Sequence, residues 1–331
     1  KLEALDLAGN RVEASWTWTM DYSQDKTPPA MPFPAWIPRQ GYARLLPGAA
    51  EGSRLFLADT NEALVQIVPD EVLDRPVVQL EPLANPQSAA VRIQCGPMDL
   101  RKGLRLRFNA RVTGPFLADF RFLVAGKPYA LRFLDTDNFD ASLFATIPAI
   151  PKDGQWRTVE FDVAAALLRT IPKDAEPVVS MIELGKKGAA RNQKGWWLRL
   201  DGFSLYNDEQ LLQGVQAFWS KAKDPTGVTY AACVDTAPQT APADFVPDRL
   251  GLETSRFGPG SFLHVAVRDG AGNANVAHVA LPQVPPLPPP PAPTPAPATT
   301  PVPPAPPAAA PPPQGAPAPA PAKPPEPGKA K

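Results

Sequence analysis

From Leu104 to Val112 the chain alternates apolar and polar residues without a break, reading Leu-Arg-Leu-Arg-Phe-Asn-Ala-Arg-Val. Successive side chains on a strand point to opposite faces, so the run predicts an antiparallel strand with one buried and one wet face. Phe120 to Val124, Tyr129 to Phe133 and Trp156 to Val163 repeat the theme, and Gly126-Lys127-Pro128 and Lys152-Asp153-Gly154 supply turns. Ala164 to Arg169 has room for one helical turn or two. No long 3.6-residue periodicity interrupts this pattern, so the expected class is all-β: antiparallel sandwiches in tandem.

A second regularity is a repeat. Leu2 to Asn10 followed by Arg11 to Trp18, and Val265 to Asn273 followed by Ala274 to Leu281, each give a strand-like run, an Asp-x-Ala-Gly-Asn turn and another strand-like run. Each predicts a β-hairpin, because Gly and Asn tolerate positive φ and the Asp side chain accepts hydrogen bonds from nearby amides. Calcium is the functional alternative for such an Asp/Asn pair, although two ligands fall short of the about six to eight oxygens calcium takes.

These residues carry a resemblance. The stretch from Val215 to Leu281, with Phe218-Trp219-Ser220, Asp224-Pro225-Thr226-Gly227-Val228 and the closing Asp269-Gly270-Ala271-Gly272-Asn273, resembles immunoglobulin-like or fibronectin-III-like modules of bacterial surface proteins. Residues 1–22 resemble the last two strands of a preceding module, and Asp25-Lys26-Thr27-Pro28-Pro29 the junction between such modules. Trp156 to Val163, and Trp196 to Tyr206 with its aromatic-x-hydrophobic-Asp-x-hydrophobic ending, resemble galactose-binding-like jelly rolls of carbohydrate-binding modules. The implied organisation is a terminal hairpin and linker over 1–27, a jelly-roll sandwich over 28–208 and an immunoglobulin-like module over 209–283. A tail over 284–331 completes it.

Composition defines that tail: more than half of the 46 prolines fall after residue 281, among Ala and Thr with hardly an aromatic. Such a stretch cannot build a core, and its proline runs favour polyproline II, so a disordered spacer is expected. Docking into a partner's aromatic groove is the functional competitor. Charge adds little direction: 33 basic and 33 acidic residues give no field to steer the chain onto nucleic acid. No run nears the about 18 apolar residues of a bilayer-spanning helix, so no membrane insertion is expected within this chain. Cys95 and Cys233 fall in different predicted modules, which predicts free thiols packed as small hydrophobes. The chain opens at Lys1 inside a strand-like run, as expected of part of a longer polypeptide that is extracellular, cell-surface or periplasmic.

Candidate chemistry is sparse. His264 and His278 fall on opposite arms of the second hairpin, facing each other if the register is simple; without a third ligand they predict strand residues rather than a metal site. No nucleophile elbow, phosphate loop or dinucleotide fingerprint is present. Asp135, Asp137, Asn138 and Asp140 form the densest acidic cluster and read as a solvated loop, with calcium or a sugar as its alternative ligand. Sugar binding needs an aromatic face beside hydrogen-bonding polar groups. Trp196 and Trp197 are adjacent on a predicted strand, so one can enter the core while the other faces out, near Lys186, Lys187, Arg191 and Asn192. Trp36, among Pro32, Pro34 and Pro38, reads as a plug between domains.

The expected function is a non-catalytic structural and binding segment, with no catalytic residues and no cofactor beyond the calcium alternative. Its expected partners are a polysaccharide or another surface protein. Two alternatives stand beside it: a carbohydrate-binding module accessory to an upstream enzyme, and a glycoside-acting enzyme with a carboxylate pair in the jelly roll.

Overall fold

The computed structural model describes residues 2–5, 11–15, 21–48, 52–58, 63–82, 88–114, 116–134, 141–187, 194–255, 257 and 260–282. The tail over 284–331 and the first hairpin's turn at 6–10 lie outside the described residues.

Strands β1 (Leu2–Leu5) and β2 (Arg11–Ala14) pair as the terminal hairpin. They precede β3 (Pro34–Pro38) and β4 (Ala43–Arg44). Next come β5 (Phe56–Ala58), β6 (Ala63–Asp70), β7 (Arg75–Pro82), β8 (Ser88–Ile93), β9 (Met98–Asp99) and β10 (Arg105–Thr113). Then follow β11 (Asp119–Val124), β12 (Lys127–Leu134), β13 (Leu143–Ile150), β14 (Arg157–Asp162), β15 (Val178–Lys187) and β16 (Trp197–Tyr206). The last are β17 (Val215–Trp219), β18 (Val228–Asp235), β19 (Val246–Pro247), β20 (Gly251–Thr254), β21 (Phe262–Asp269) and β22 (Ala274–Ala280).

The larger sandwich stacks a sheet of order β14-β10-β16-β7-β6, with β4 on β16, against one of order β13-β12-β11-β15-β8-β5, with β9 on β15. The alternation of β10 works as its pattern dictates: Leu106, Phe108, Ala110 and Val112 enter the core, and Arg107, Asn109 and Arg111 take the other face. Phe108 and Phe203 from one sheet meet Phe120 and Phe133 from the other at centroid separations of 5.2–6.1 Å, the range aromatic pairs prefer. The strands are antiparallel except for β12 and β13, which run parallel. At the β11–β12 hairpin, Ala125 (φ 48°) and Gly126 (φ 75°) hold the left-handed pair a tight turn requires. A helix at Val163–Thr170 begins on Asp162, whose side chain accepts from the Ala165 amide.

The smaller sandwich stacks β20-β17-β3 on β19-β18-β21-β22 around Trp36, Trp219, Tyr230, Leu263, Val265 and Val267. A boundary at residue 28 assigns residues 34–38 to the jelly roll, yet their ladder is with β17, from Val215 opposite Pro38 to Trp219 opposite Pro34. The reason is burial: β3 covers the β17 edge and delivers Trp36 to the smaller core. The larger sandwich is therefore inserted after the first strand of the smaller one. Trp36 is also where the two bodies meet. The Arg107 guanidinium stacks 4.0 Å above its ring and donates from Nε to its carbonyl at 2.9 Å. Nearby, Arg75 lies 5.0 Å over Phe218 and pairs with Asp201 at 2.7 Å. Gly202 (φ 56°) admits that Phe218 ring, which a Cβ would meet at 2.8 Å.

Candidate functional site

The outer face of the β14-β10-β16-β7-β6 sheet holds the densest polar network among the described residues. Its centre is Asp70, the last residue of β6, whose side chain is 0% exposed. Its Oδ2 accepts from Arg111 Nη1 at 3.0 Å and Arg199 Nη1 at 2.8 Å. Its Oδ1 accepts from Trp156 Nε1 at 3.1 Å and from the amides of Val72 and Leu73 at 3.0 Å. Burial pushes this carboxyl up, but the Leu73 amide, Arg199, Trp156 and the Val72 amide outweigh it and hold Asp70 below the usual carboxylate range. Arg111 and Arg199 sit opposite each other on β10 and β16. Arg111 Nε also donates to the Gly154 carbonyl, and Arg199 Nε to Gln79 Oε1 at 3.0 Å. Glu71, on the β6–β7 turn, caps the pair by accepting from Arg111 at 2.6 Å and Arg199 at 3.1 Å.

Trp197 belongs to this network. Its ring lies 4.2 Å from the Arg199 guanidinium carbon and 5.6 Å from that of Arg111. Trp196 points the other way, packing on the edge of the core against Gly114. Strand alternation thus separates the two rings as the sequence predicts. The structure places Trp197 against the guanidiniums of Arg199 and Arg111 on the same sheet face. Lys186 and Lys187 end β15, in register with Ala89 and Ser88 of the opposite sheet. Arg191, Asn192, Asp135, Asp137 and Asn138 lie outside the described residues. Sequence reasoning missed Arg111 and Arg199, although the β10 alternation and the every-second-residue series Trp197, Arg199, Asp201 carried the signal. Asp70 had none.

A second cluster gathers three motifs that the sequence singled out separately. Asp25 of the junction, Asp224 of the Asp-Pro-Thr-Gly turn and Asp269 of the second hairpin bring carboxylate oxygens within 4.8 Å of one another. The motifs interlock. Asn273 donates from its amide and Nδ2 to Asp269 (2.8 and 2.9 Å) and from Nδ2 to the Asp25 carbonyl at 3.2 Å, and Gly270 N donates to Thr226 Oγ1 at 2.8 Å. Burial pushes Asp269 up, while the Asn273, Gly272 and Ala271 donors hold it low. Three carboxylates are hard oxygen donors of the kind calcium takes, and these are the described residues that can hold a metal.

The predicted histidine pair is in register: His264 faces His278 across β21 and β22 with Nδ1 atoms 2.7 Å apart, and His264 Nε2 lies 3.1 Å from Asp235 Oδ1. Two Nδ1 atoms that close share one proton, and an ion at about 2.0–2.1 Å from each in tetrahedral geometry would hold them farther apart. Between the two sandwiches a cleft of about 360 Å³ is lined by Leu46, Asp74, Phe218 and Trp219, together with the Arg75 already committed to Asp201.

No family model matches the chain, and no curated protein matches it. Among solved structures, it is similar to the enzymatically active domain of tailspike protein 4 from bacteriophage CBA120, at 15% identity over 49% of this chain and 21% of that one, with a TM-score of 0.27. A crystal structure with xylogluco-oligosaccharide gives 14% identity over 46% of this chain and 38% of that one, TM-score 0.24. The adhesin domain of Epf from Streptococcus pyogenes gives 7% identity over 74% of this chain and 97% of that one, TM-score 0.24. The matched part of this chain spans well under half the length of the first two.

Proposed function

We propose that the chain is a non-catalytic segment of a larger secreted or cell-surface bacterial protein, in which an immunoglobulin-like module and a galactose-binding-like jelly roll form one stiff body that displays the jelly roll's outer face. The observation that carries this reading is the threading of β3: the smaller sandwich draws a strand from before the larger one, so two chain crossings and the buried Arg107–Trp36 contact join them. A single flexible linker would permit hinging; two crossings and a shared core residue oppose it. Incubating the full chain with polysaccharides and synthetic glycosides is expected to release no product. Turnover that disappears on replacing one Asp or Glu overturns the reading and favours the glycoside-acting alternative.

A second reading, carbohydrate binding, is favoured by Trp197 on the outer face among Arg111, Arg199 and Gln79, since saccharide recognition combines an aromatic surface with fixed donors and acceptors. Titration against plant and microbial polysaccharides tests it. Affinity that falls at least about ten-fold on Trp197→Ala supports the site, and affinity unchanged by that substitution removes it.

A further inference from the structure

We propose that the Arg111–Arg199 pair is a binding site for the carboxylate of an acidic, uronate-containing polysaccharide, and that Glu71 occupies it as a tethered stand-in. The inference rests on the carbohydrate-binding reading above and names its ligand class.

The charge arrangement is the starting point. Asp70 is 0% exposed and fixes both guanidiniums from beneath, supplying one negative charge to two positive ones. The second negative charge comes from Glu71, whose side chain is 65% exposed and projects from a turn rather than a strand. The backbone of its own turn and Arg111 hold Glu71 below the usual carboxylate range. The inner acid is thus built into the fold, and the outer one is a largely exposed side chain laid over the pair from solvent. An exposed ion pair of this kind contributes little and is screened by salt, so a competing carboxylate displaces it at small cost.

The arginines are prepared for that exchange. Each Nε is tied down, Arg111 to the Gly154 carbonyl and Arg199 to Gln79, and each Nη1 is shared between Asp70 and Glu71. Among the described residues neither Nη2 has a hydrogen-bond partner, which leaves a donor on each guanidinium beyond those that Glu71 uses. Fixed forks of this kind recognise planar carboxylates with little loss of side-chain freedom. Trp197 fixes the chemical class further. Its ring is partly exposed beside the pair, and an apolar surface flanking a carboxylate site suits a sugar acid, which carries its charge on a ring with C–H faces. An acidic peptide offers the charge without that ring.

Calorimetric titration of the full chain with oligogalacturonate tests this, with a neutral glucan oligosaccharide and poly-glutamate as comparison ligands. Oligogalacturonate is expected to bind best, and Glu71→Ala to tighten it about five-fold by vacating the pair. Arg199→Gln is expected to abolish binding, with a melting curve taken to show that this variant is folded; Glu71→Ala, altering an exposed turn side chain, keeps the test decisive if it is not. Unchanged or weaker binding in Glu71→Ala overturns the inference, as does equal affinity for poly-glutamate. Neutral glucan bound as tightly as the uronate, and lost on Trp197→Ala, also overturns it while leaving the carbohydrate-binding reading intact. Absence of binding to any saccharide removes both.

Discussion

Asp70 shows how much of this sheet face hangs on one buried group. It accepts five hydrogen bonds, two from arginines, one from an indole and two from amides, all within 3.1 Å. Removing one partner of a buried charged network leaves the others uncompensated, so Asp70→Ala is expected to cost about 3–5 kcal/mol, read as a lower urea midpoint. The pH dependence follows from the same bonds. The folded carboxyl titrates below its unfolded value of about 3.9, so its stabilisation is complete above that pH and is lost as pH falls through the folded value. Stability measured between about pH 5 and pH 2 is therefore expected to fall less steeply in Asp70→Ala than in the parent chain, with part of the acid limb kept by Glu71 and Asp269. A parallel pair of acid limbs would mean that Asp70 is not held low. The network was not readable along the chain, because the side-chain partners of Asp70 stand 41, 86 and 129 positions away. What the residues did disclose was direction: alternation alone separates Trp196 from Trp197, and a simple hairpin register puts His264 opposite His278.

At the level of elements, legibility follows how local the signal is. The strands β10, β11, β12 and β14 and the helix at Val163–Thr170 all come from patterns of ten residues or fewer and form where those patterns lie, whereas the turn expected at Gly126-Lys127-Pro128 sits at 125–126, with Lys127 and Pro128 already paired in β12. β3 escapes such a reading because Pro34-Ala35-Trp36-Ile37-Pro38 has a proline at each end and no alternation, and its partner β17 lies about 180 positions on. Its importance is testable. A fragment of residues 209–282 is expected to lack a cooperative fold, and adding a peptide of residues 30–40 to restore dispersed amide resonances; a fragment that folds unaided would show β3 to be dispensable. The convergence of Asp25, Asp224 and Asp269 is another long-range product of short motifs. Like charges this close repel, so in chelator Asp224→Asn is expected to raise the melting temperature by about 1–2 °C, Asn Oδ1 still being able to accept from the Thr226 amide. If millimolar calcium reverses that sign, making the parent chain the more stable, the three acids hold a cation.

For the whole molecule, the question is whether two sandwiches behave as one. Net charge decides nothing, since basic and acidic residues balance, and the junction itself must supply the coupling. Its contacts are of an unusual kind for a domain boundary: Arg107 is buried between the Trp36 ring at 4.0 Å and Glu160 at 3.2 Å, while Tyr206 stands edge-on to the same indole at 6.2 Å. A buried cation over an aromatic face contributes about 2 kcal/mol when desolvated, and its carbonyl and carboxylate bonds are lost together with it. Calorimetry of the full chain is expected to give one endotherm covering both sandwiches, because opening the junction would strip Arg107 and Tyr206 from Trp36 and expose that indole to water. Arg107→Ala removes the cation but leaves β3 in place, so it is expected to lower that endotherm by several degrees without splitting it. Splitting in the variant would locate the coupling in the arginine, and splitting in the parent chain would mean that the threaded strand does not join the two cores. The distinction bears on the proposed display role: a body that melts as one unit would hold the Trp197 face in a fixed orientation, whereas two loosely joined sandwiches would let that face turn freely.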